Sequence, residues 1–231
     1  MTPTPRFFTP TGYTDRRSKA AYVWRKYGSI LQGEILDVGA DECHLRPLLP
    51  SPARYTGIGL SGQVDRVVDL DREPIPFDDG RFDCVLCLEV LEHLERIHAV
   101  FDDLCRVSRK YMILSLPNPW GSFYKRLLFD FPQVAADCPV KFYGLPNEPP
   151  EDRHRWFYSP TDARRFVAYR AARNGMRILQ EDAEEAESEG VGFGGWLRRL
   201  ARRRLLRQSL DPNELLGSCM WWVLEKPAKE P

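Results

Sequence analysis

"FDCVLCL" at 82–88, running straight into "EVLEHLERIHAVFDDLCRV" at 89–107, is the stretch whose reading decides the fold. Its first part is nearly all apolar, the pattern of a short strand buried on both faces. In its second part Val90, Leu94, Ile97, Phe101 and Leu104 recur at helical spacing, which predicts one helix with a buried stripe. A doubly buried strand feeding an amphipathic helix belongs to a βαβ unit, so the sheet should be parallel and covered by helices on both faces.

Working outward, the same alternation continues. "EILDVG" (34–39), "RYTGIGL" (54–60) and "RVVDLD" (66–71) read as earlier strands, and "YMILSL" (111–116), "MRILQED" (176–182) and "SCMWWVLEK" (218–226) as later ones. The expected fold class is α/β: a doubly wound, mostly parallel, seven-stranded, Rossmann-like sheet. An N-terminal arm and helix (1–33) precede the main domain (34–231). The helix, at about 15–31, has an apolar side made by Val23, Trp24, Tyr27, Ile30 and Leu31. Phe7, Phe8 and Tyr13 give the Pro- and Thr-rich arm a means of docking.

Two insertions interrupt the alternation. Residues 117–158 interleave seven prolines with aromatics from Trp120 to Phe157, too aromatic for a disordered linker, and read as a cap over a ligand cleft after the fifth strand. Order resumes with Ser159 as N-cap, Pro160 at the first helical position and Asp162 at the third; the helix stops at Asn174 and Gly175. The second insertion, 183–214, is charged and helical. Within it "GWLRRLARRRLLRQSL" (195–210) sets six arginines among leucines and follows the acidic "EDAEEAESEG" (181–190). This basic amphipathic segment is read either as a peripheral contact with an anionic membrane or anionic substrate, or as a solvated helix paired with the preceding acids.

The totals exclude several classes. With 231 residues and 43% hydrophobic content the chain can build one domain with a real core. Lys plus Arg and Asp plus Glu are 33 each, so no global charge favours nucleic acid. There is neither a signal-like apolar core at the start nor a run long enough to span a membrane, and the expected location is cytoplasmic, with membrane association through 195–210 left open. Six cysteines without a spacing framework suit reduced thiols. Cys84 and Cys87 form C-x-x-C, but an offset of three in a strand points them to opposite faces, so no metal is expected.

In an open parallel sheet the ligand sits beyond the carboxyl ends of the strands, near the reversal of strand order. The loops opening at Asp37, Gly59, Asp69 and Leu88 converge there. "EILDVGA", "VVDLDREPIPFDDGRFDCVLCLEVLEHLE", "MILSLPN" and "DRHRWFYSPTDARRFV" together resemble the class I S-adenosylmethionine-dependent methyltransferases, specifically the small-molecule group with an EVLEH motif. The likeness runs from about 34 to 182, with "PFDDGRFDCVLCLEVLEHL" its specific part.

The resemblance implies S-adenosylmethionine as cofactor and positions for it. Asp37, Gly39, Ala40 and Asp41 would face its methionine end and the sulfonium or ribose. Gly59 and Leu60 would meet the ribose and adenine region, and Asp69 and Leu70 the adenine. Leu88 and Glu89 would line it where the strand ends. Asp69 has a second reading as a turn-capping acid.

The chain departs from the pattern in three places. Asp41 and Cys43 stand where the family's loop has glycine, and Gly59 stands where it has the acid that chelates the ribose hydroxyls. Asp41, Ser61 and Asp65 are the candidate replacements. Four residues apart on the predicted helix, Glu89 and His93 would share one flank toward the cleft. His93 is read as general base or as a structural histidine. His154, with Arg153, Arg155 and Trp156 beside it, is read as a second base or as a cluster binding an anionic or aromatic acceptor, or as a solvated loop in which Trp156 plugs the cap. The expected function is methyl transfer to a small-molecule acceptor: a polar lipid, glycan or secondary metabolite. The alternative is a catalytically impaired descendant acting as a binding or assembly subunit. The oligomeric state is left open.

Overall fold

The computed structural model describes residues 6–9, 12–125, 153–184 and 217–227. Among the described residues eight strands form one sheet: β1 (Arg6–Thr9), β2 (Glu34–Val38), β3 (Arg54–Gly59), β4 (Arg66–Val67), β5 (Phe82–Leu88), β6 (Ser108–Pro117), β7 (Arg177–Glu184) and β8 (Cys219–Glu225). Their order is β1-β7-β8-β6-β5-β2-β3-β4, and only β8 runs antiparallel to its neighbours. The expected seven strands are all present, and an eighth is added at the edge. Part of the N-terminal arm is itself a strand, Arg6–Thr9, paired in parallel with β7 from Arg6↔Glu181 to Thr9↔Glu184. Alternation gave no hint of it, because an edge strand so short carries too few residues to show a period.

Four helices are described: α1 (Arg16–Tyr27), α2 (Ile97–Val107), α3 (Pro119–Lys125) and α4 (Pro160–Arg173). Asp15 and Ser18 close a reciprocal capping box at the start of α1, as Ser159 and Asp162 do at the start of α4. Gly175, just past α4, has φ +68°. One core layer packs Tyr22, Val23 and Tyr27 of α1 on Ile35, Cys84, Leu86, Ile113 and Trp221. The opposite layer packs α2 and α4 on Leu36, Val38, Val85, Cys87, Met112 and Trp222. Consecutive strand residues thus fall into opposite layers, which is why the strands read as unbroken apolar runs. Cys84 and Cys87 lie in different layers, and the cysteines among the described residues are all free thiols.

The helix read over 89–107 is the main correction. Glu89 has φ +56°, a 3₁₀ turn covers Leu91–His93, Leu94 is extended, and α2 begins only at Ile97. Within that turn Leu91 and Glu92 are both almost wholly buried. The stripe from Leu94 to Leu104 is nonetheless buried as expected.

The described residues before β2, 6–9 and 12–33, are built into the same sheet and core, with Tyr13 and Tyr22 against Trp221. Strand β7 runs to Glu184, two residues into the segment read as a charged insertion. The basic stretch 195–210, with the rest of that insertion from 185, lies outside the described residues, as does most of the cap between 126 and 152. Among the described residues no helix is long and apolar enough to cross a membrane.

Candidate active site at the carboxyl edge of the sheet

Strand β2 pairs with β3 on one side and β5 on the other, so the chain reverses direction across the sheet at β2. The loops leaving β2 and β5 separate there, and a cavity of about 560 Å³ opens between them. That volume is in the range of small-ligand sites. Its lining includes Asp37, Gly39, Ala40, Asp41, Gly59, Leu60, Leu88, Glu89, His93 and His154. Ten expected residues from four separate stretches therefore meet in one space.

The loop after β2 keeps a glycine-like path without all of its glycines. Gly39, Asp41 and Cys43 have φ of +78°, +50° and +54°. Gly39 is irreplaceable on space alone, since a Cβ there would stand 2.3 Å from Val90 Cγ2. Asp41 and Cys43 hold the left-handed conformation at a cost of about 1–2 kcal/mol each, offset by what their side chains do. Asp41 is ion-paired with Arg16 at the start of α1. The Cys43 thiol donates to the Gln63 carbonyl at 3.3 Å. The Gly39 and Ala40 N–H groups both donate to the Ile58 carbonyl, anchoring the loop to β3.

Asp37 is oriented by the Tyr55 hydroxyl, which donates to its Oδ2 at 2.6 Å. Burial pushes its carboxyl up to about 6, against the opposing pull of Tyr55 and Lys19. Glu89 is reached by Lys19 Nζ at 2.8 Å. Burial acts to raise its carboxyl, but Lys19 and other partners prevail and hold it below the ordinary glutamate value. Arg16 and Lys19 also line the cavity. Sequence reading missed both, since nothing in an N-terminal helix marks which of its cations will face a cleft.

Gly59 differs from Gly39. A Cβ built on it meets Val64 Cγ1 at 3.5 Å, Ser61 O at 3.7 Å and Gly39 Cα at 3.8 Å, all ordinary contacts. A side chain fits there, so the missing acid is not a steric necessity. Of the three candidate replacements, Asp41 and Ser61 line the cavity. Asp65 instead accepts the Gly57 N–H at 2.8 Å and pairs with Arg46.

Asp69 and Leu70 are not among the lining residues. Asp69 accepts the Asp71 N–H at 3.1 Å and pairs with Arg72 at 3.2 Å, the geometry of a turn-capping acid, while Leu70 is buried in the core. Arg153 and Trp156 also lie outside the lining. The Trp156 indole donates to the Leu94 carbonyl at 2.7 Å, and Arg153 is exposed.

The work of that segment falls to Arg155. Its N–H donates to the Glu92 carbonyl and its side chain to the His93 carbonyl, both at 2.8 Å, and it pairs with Glu95 at 2.7 Å. These bonds tie residues 153–158 to the turn after β5 and set His154 edge-on to His93, ring centroids 4.5 Å apart. Glu89 and His93 meet at the cavity through the 3₁₀ turn and not through a helical flank.

Residues 36–114 match the family model described as "Methyltransferase domain". Comparison with curated proteins finds no match. Among solved structures, the chain is similar to a SAM-dependent methyltransferase from Archaeoglobus fulgidus, with 15% identity, TM-score 0.56, and 91% of this chain and 94% of that one covered. It is similar to the YcgJ protein from Bacillus subtilis at 11% identity, TM-score 0.51, covering 91% and 98%. A third likeness is to the [4+2]-cyclase SpnF at 12% identity, TM-score 0.53, covering 96% and 87%. At such identities these neighbours speak for the fold, and the cyclase shows that the fold carries more than one chemistry. Over residues 36–114 the chain is thus similar to methyltransferase domains, and its fold is shared with a SAM-dependent methyltransferase, an enzyme class that uses S-adenosylmethionine.

The cavity suits that cofactor by its own chemistry. It offers carboxylates at Asp37 and Glu89, a bare backbone edge at Gly39 and Gly59, and apolar surface at Leu60 and Leu88. An ammonium group calls for the first of these and an adenine for the last, while the glycines leave room for close approach.

Proposed function

We propose that the chain transfers a methyl group from S-adenosylmethionine to a small-molecule acceptor in the cavity beyond β2 and β5. The observation carrying this reading is that the cofactor-type loop residues and the His93–His154 pair line the same space. Asp37 and Gly39 receive the methionine end, Asp41 or Ser61 takes the ribose hydroxyls in place of an acid at 59, and Leu60 and Leu88 flank the nucleoside. When bound, the cofactor supplies an electrophilic methyl group on a sulfonium. The protein's share is to align the acceptor with that carbon, exclude water, and take the acceptor's proton where one must leave. His93 and His154 are the groups placed for that last task.

Gly59 favours a second reading, a cofactor-impaired subunit that binds without turnover. An acid there would supply charge-assisted hydrogen bonds worth about 1.5–3 kcal/mol each. Calorimetric titration of the full chain with S-adenosylmethionine and S-adenosylhomocysteine separates the two. Micromolar binding together with methyl incorporation from labelled cofactor into an extract supports the enzyme. Absence of binding at millimolar concentration supports the subunit.

A further inference from the structure

Glu92, His93 and His154 were not brought together by sequence reading, which weighed metal binding only for Cys84 and Cys87. In the structure, one ligand atom from each of the three lies within 4.8 Å of the others. His93 Nε2 is 3.7 Å from Glu92 Oε1, and the two imidazoles meet edge to face. Donor atoms sharing one ion at about 2.0–2.2 Å lie roughly 3–4 Å apart, so small side-chain rotations complete the convergence.

We propose that Glu92, His93 and His154 form a divalent-cation site that holds a hydroxyl-bearing acceptor in the cavity; this assignment of acceptor class rests on the methyl-transfer reading above. Three observations support it. The donor set, two imidazoles and a carboxylate, is borderline in softness and suits zinc, iron, manganese or cobalt while leaving coordination positions open to a ligand. All three residues line the cavity, so those open positions face the space in which an acceptor would sit.

The backbone that presents them is also braced from outside. Arg155 bonds the carbonyls of Glu92 and His93 and is chain neighbour to His154, so one residue holds the presenting backbone of all three. Bracing of this kind is what keeps metal ligands aimed.

The chemistry follows from the charge of the ion. With the ion bound, His93 and His154 serve as its ligands in place of the base role given above: an acceptor hydroxyl on the ion becomes more acidic and loses its proton to solvent at the cavity mouth. Its oxygen forms the new bond to the methyl carbon. The carbon–sulfur bond breaks with its electron pair remaining on sulfur, leaving S-adenosylhomocysteine and the methyl ether. A hydroxyl or a pair of adjacent hydroxyls, as in a sugar, polyol or catechol, is the acceptor class that such a site selects over an amine.

The test uses the full chain after dialysis against chelator, titrated with manganese, cobalt and zinc chlorides by calorimetry. Cobalt binding is followed in parallel through its visible bands. One equivalent bound at micromolar Kd or tighter is expected, with cobalt bands of a low-coordinate nitrogen and oxygen site. H93A, H154A and E92Q should each weaken binding at least about tenfold. Absence of saturable binding by wild-type protein, or binding undiminished in H93A and H154A, overturns the site. The wild-type cobalt spectrum decides the matter even where a variant fails to fold. S-adenosylmethionine titration on the same samples distinguishes the two readings: metal bound without cofactor sinks methyl transfer and leaves the cation site standing, and the converse sinks only the site.

Discussion

At the scale of single residues, the site pairs the backbone path of a glycine loop with side chains other than glycine. Asp41 and Cys43 follow the left-handed path of a glycine loop, and each uses its side chain to bind a neighbouring element. Gly59 is the reverse case: a glycine without steric need. Gly59→Asp should therefore fold normally and tighten S-adenosylmethionine binding by roughly tenfold or more, the equivalent of one charge-assisted bond to ribose. An unchanged Kd in calorimetry would show that the ribose is held elsewhere. Asp37 adds a pH dependence. Its carboxyl is raised to about 6, and a cationic ammonium favours the ionised form, so cofactor affinity is full above pH 6 and declines as pH falls through it. Titrations at pH 5 and pH 7.5 should differ severalfold in wild type, whereas Asp37→Asn should bind weakly at both.

At the scale of elements, the turn after β5 is the decisive piece. A continuous helix from 89 would have exposed some of Leu91, Glu92 and His93 and buried others on one face. The left-handed Glu89 and the 3₁₀ turn instead tuck Leu91 and Glu92 inside and leave His93 at the cavity. Residues 153–158 then dock on that turn through Arg155 and Trp156. Arg155→Ala removes two side-chain bonds, to the His93 carbonyl and to Glu95. We expect kcat/KM for the acceptor to fall by about 10–100-fold while the Kd of S-adenosylmethionine stays within threefold, as misplacement remote from the cofactor predicts. Equal loss in both would place Arg155 in general folding.

At the scale of the whole molecule, Trp221 ties the N-terminal region to the sheet. It is fully buried, and Tyr13, Tyr22 and Tyr27 pack around it with ring centroids 5.6–6.5 Å away. Its indole N–H donates to Glu184, which also receives the Tyr13 hydroxyl. Trp221→Ala should cost about 3–5 kcal/mol in urea denaturation. Because α1 carries Arg16 and Lys19 into the cavity, the same change should weaken cofactor binding as well. A stable variant with intact affinity would mean that α1 is held by other contacts.

The doubly wound sheet, its seven principal strands, the capped helix at 160–173 and the convergence of the loops after β2 and β5 were all legible in the chain itself, because burial on two faces and helix capping write local signals. Asp37, Gly39 and His93 were named from strand-end position and motif resemblance, and all three line the cavity. The meeting of Glu92, His93 and His154 was not legible, nor was the entry of Arg16 and Lys19 into the cavity. Those contacts join residues about sixty or more positions apart, through carbonyl bonds from Arg155 and packing around Trp221, and no local period records which distant backbone oxygen a side chain will find. Pattern marked the edge of the sheet where the loops converge; tertiary docking alone decided which acids, imidazoles and cations line the cavity there.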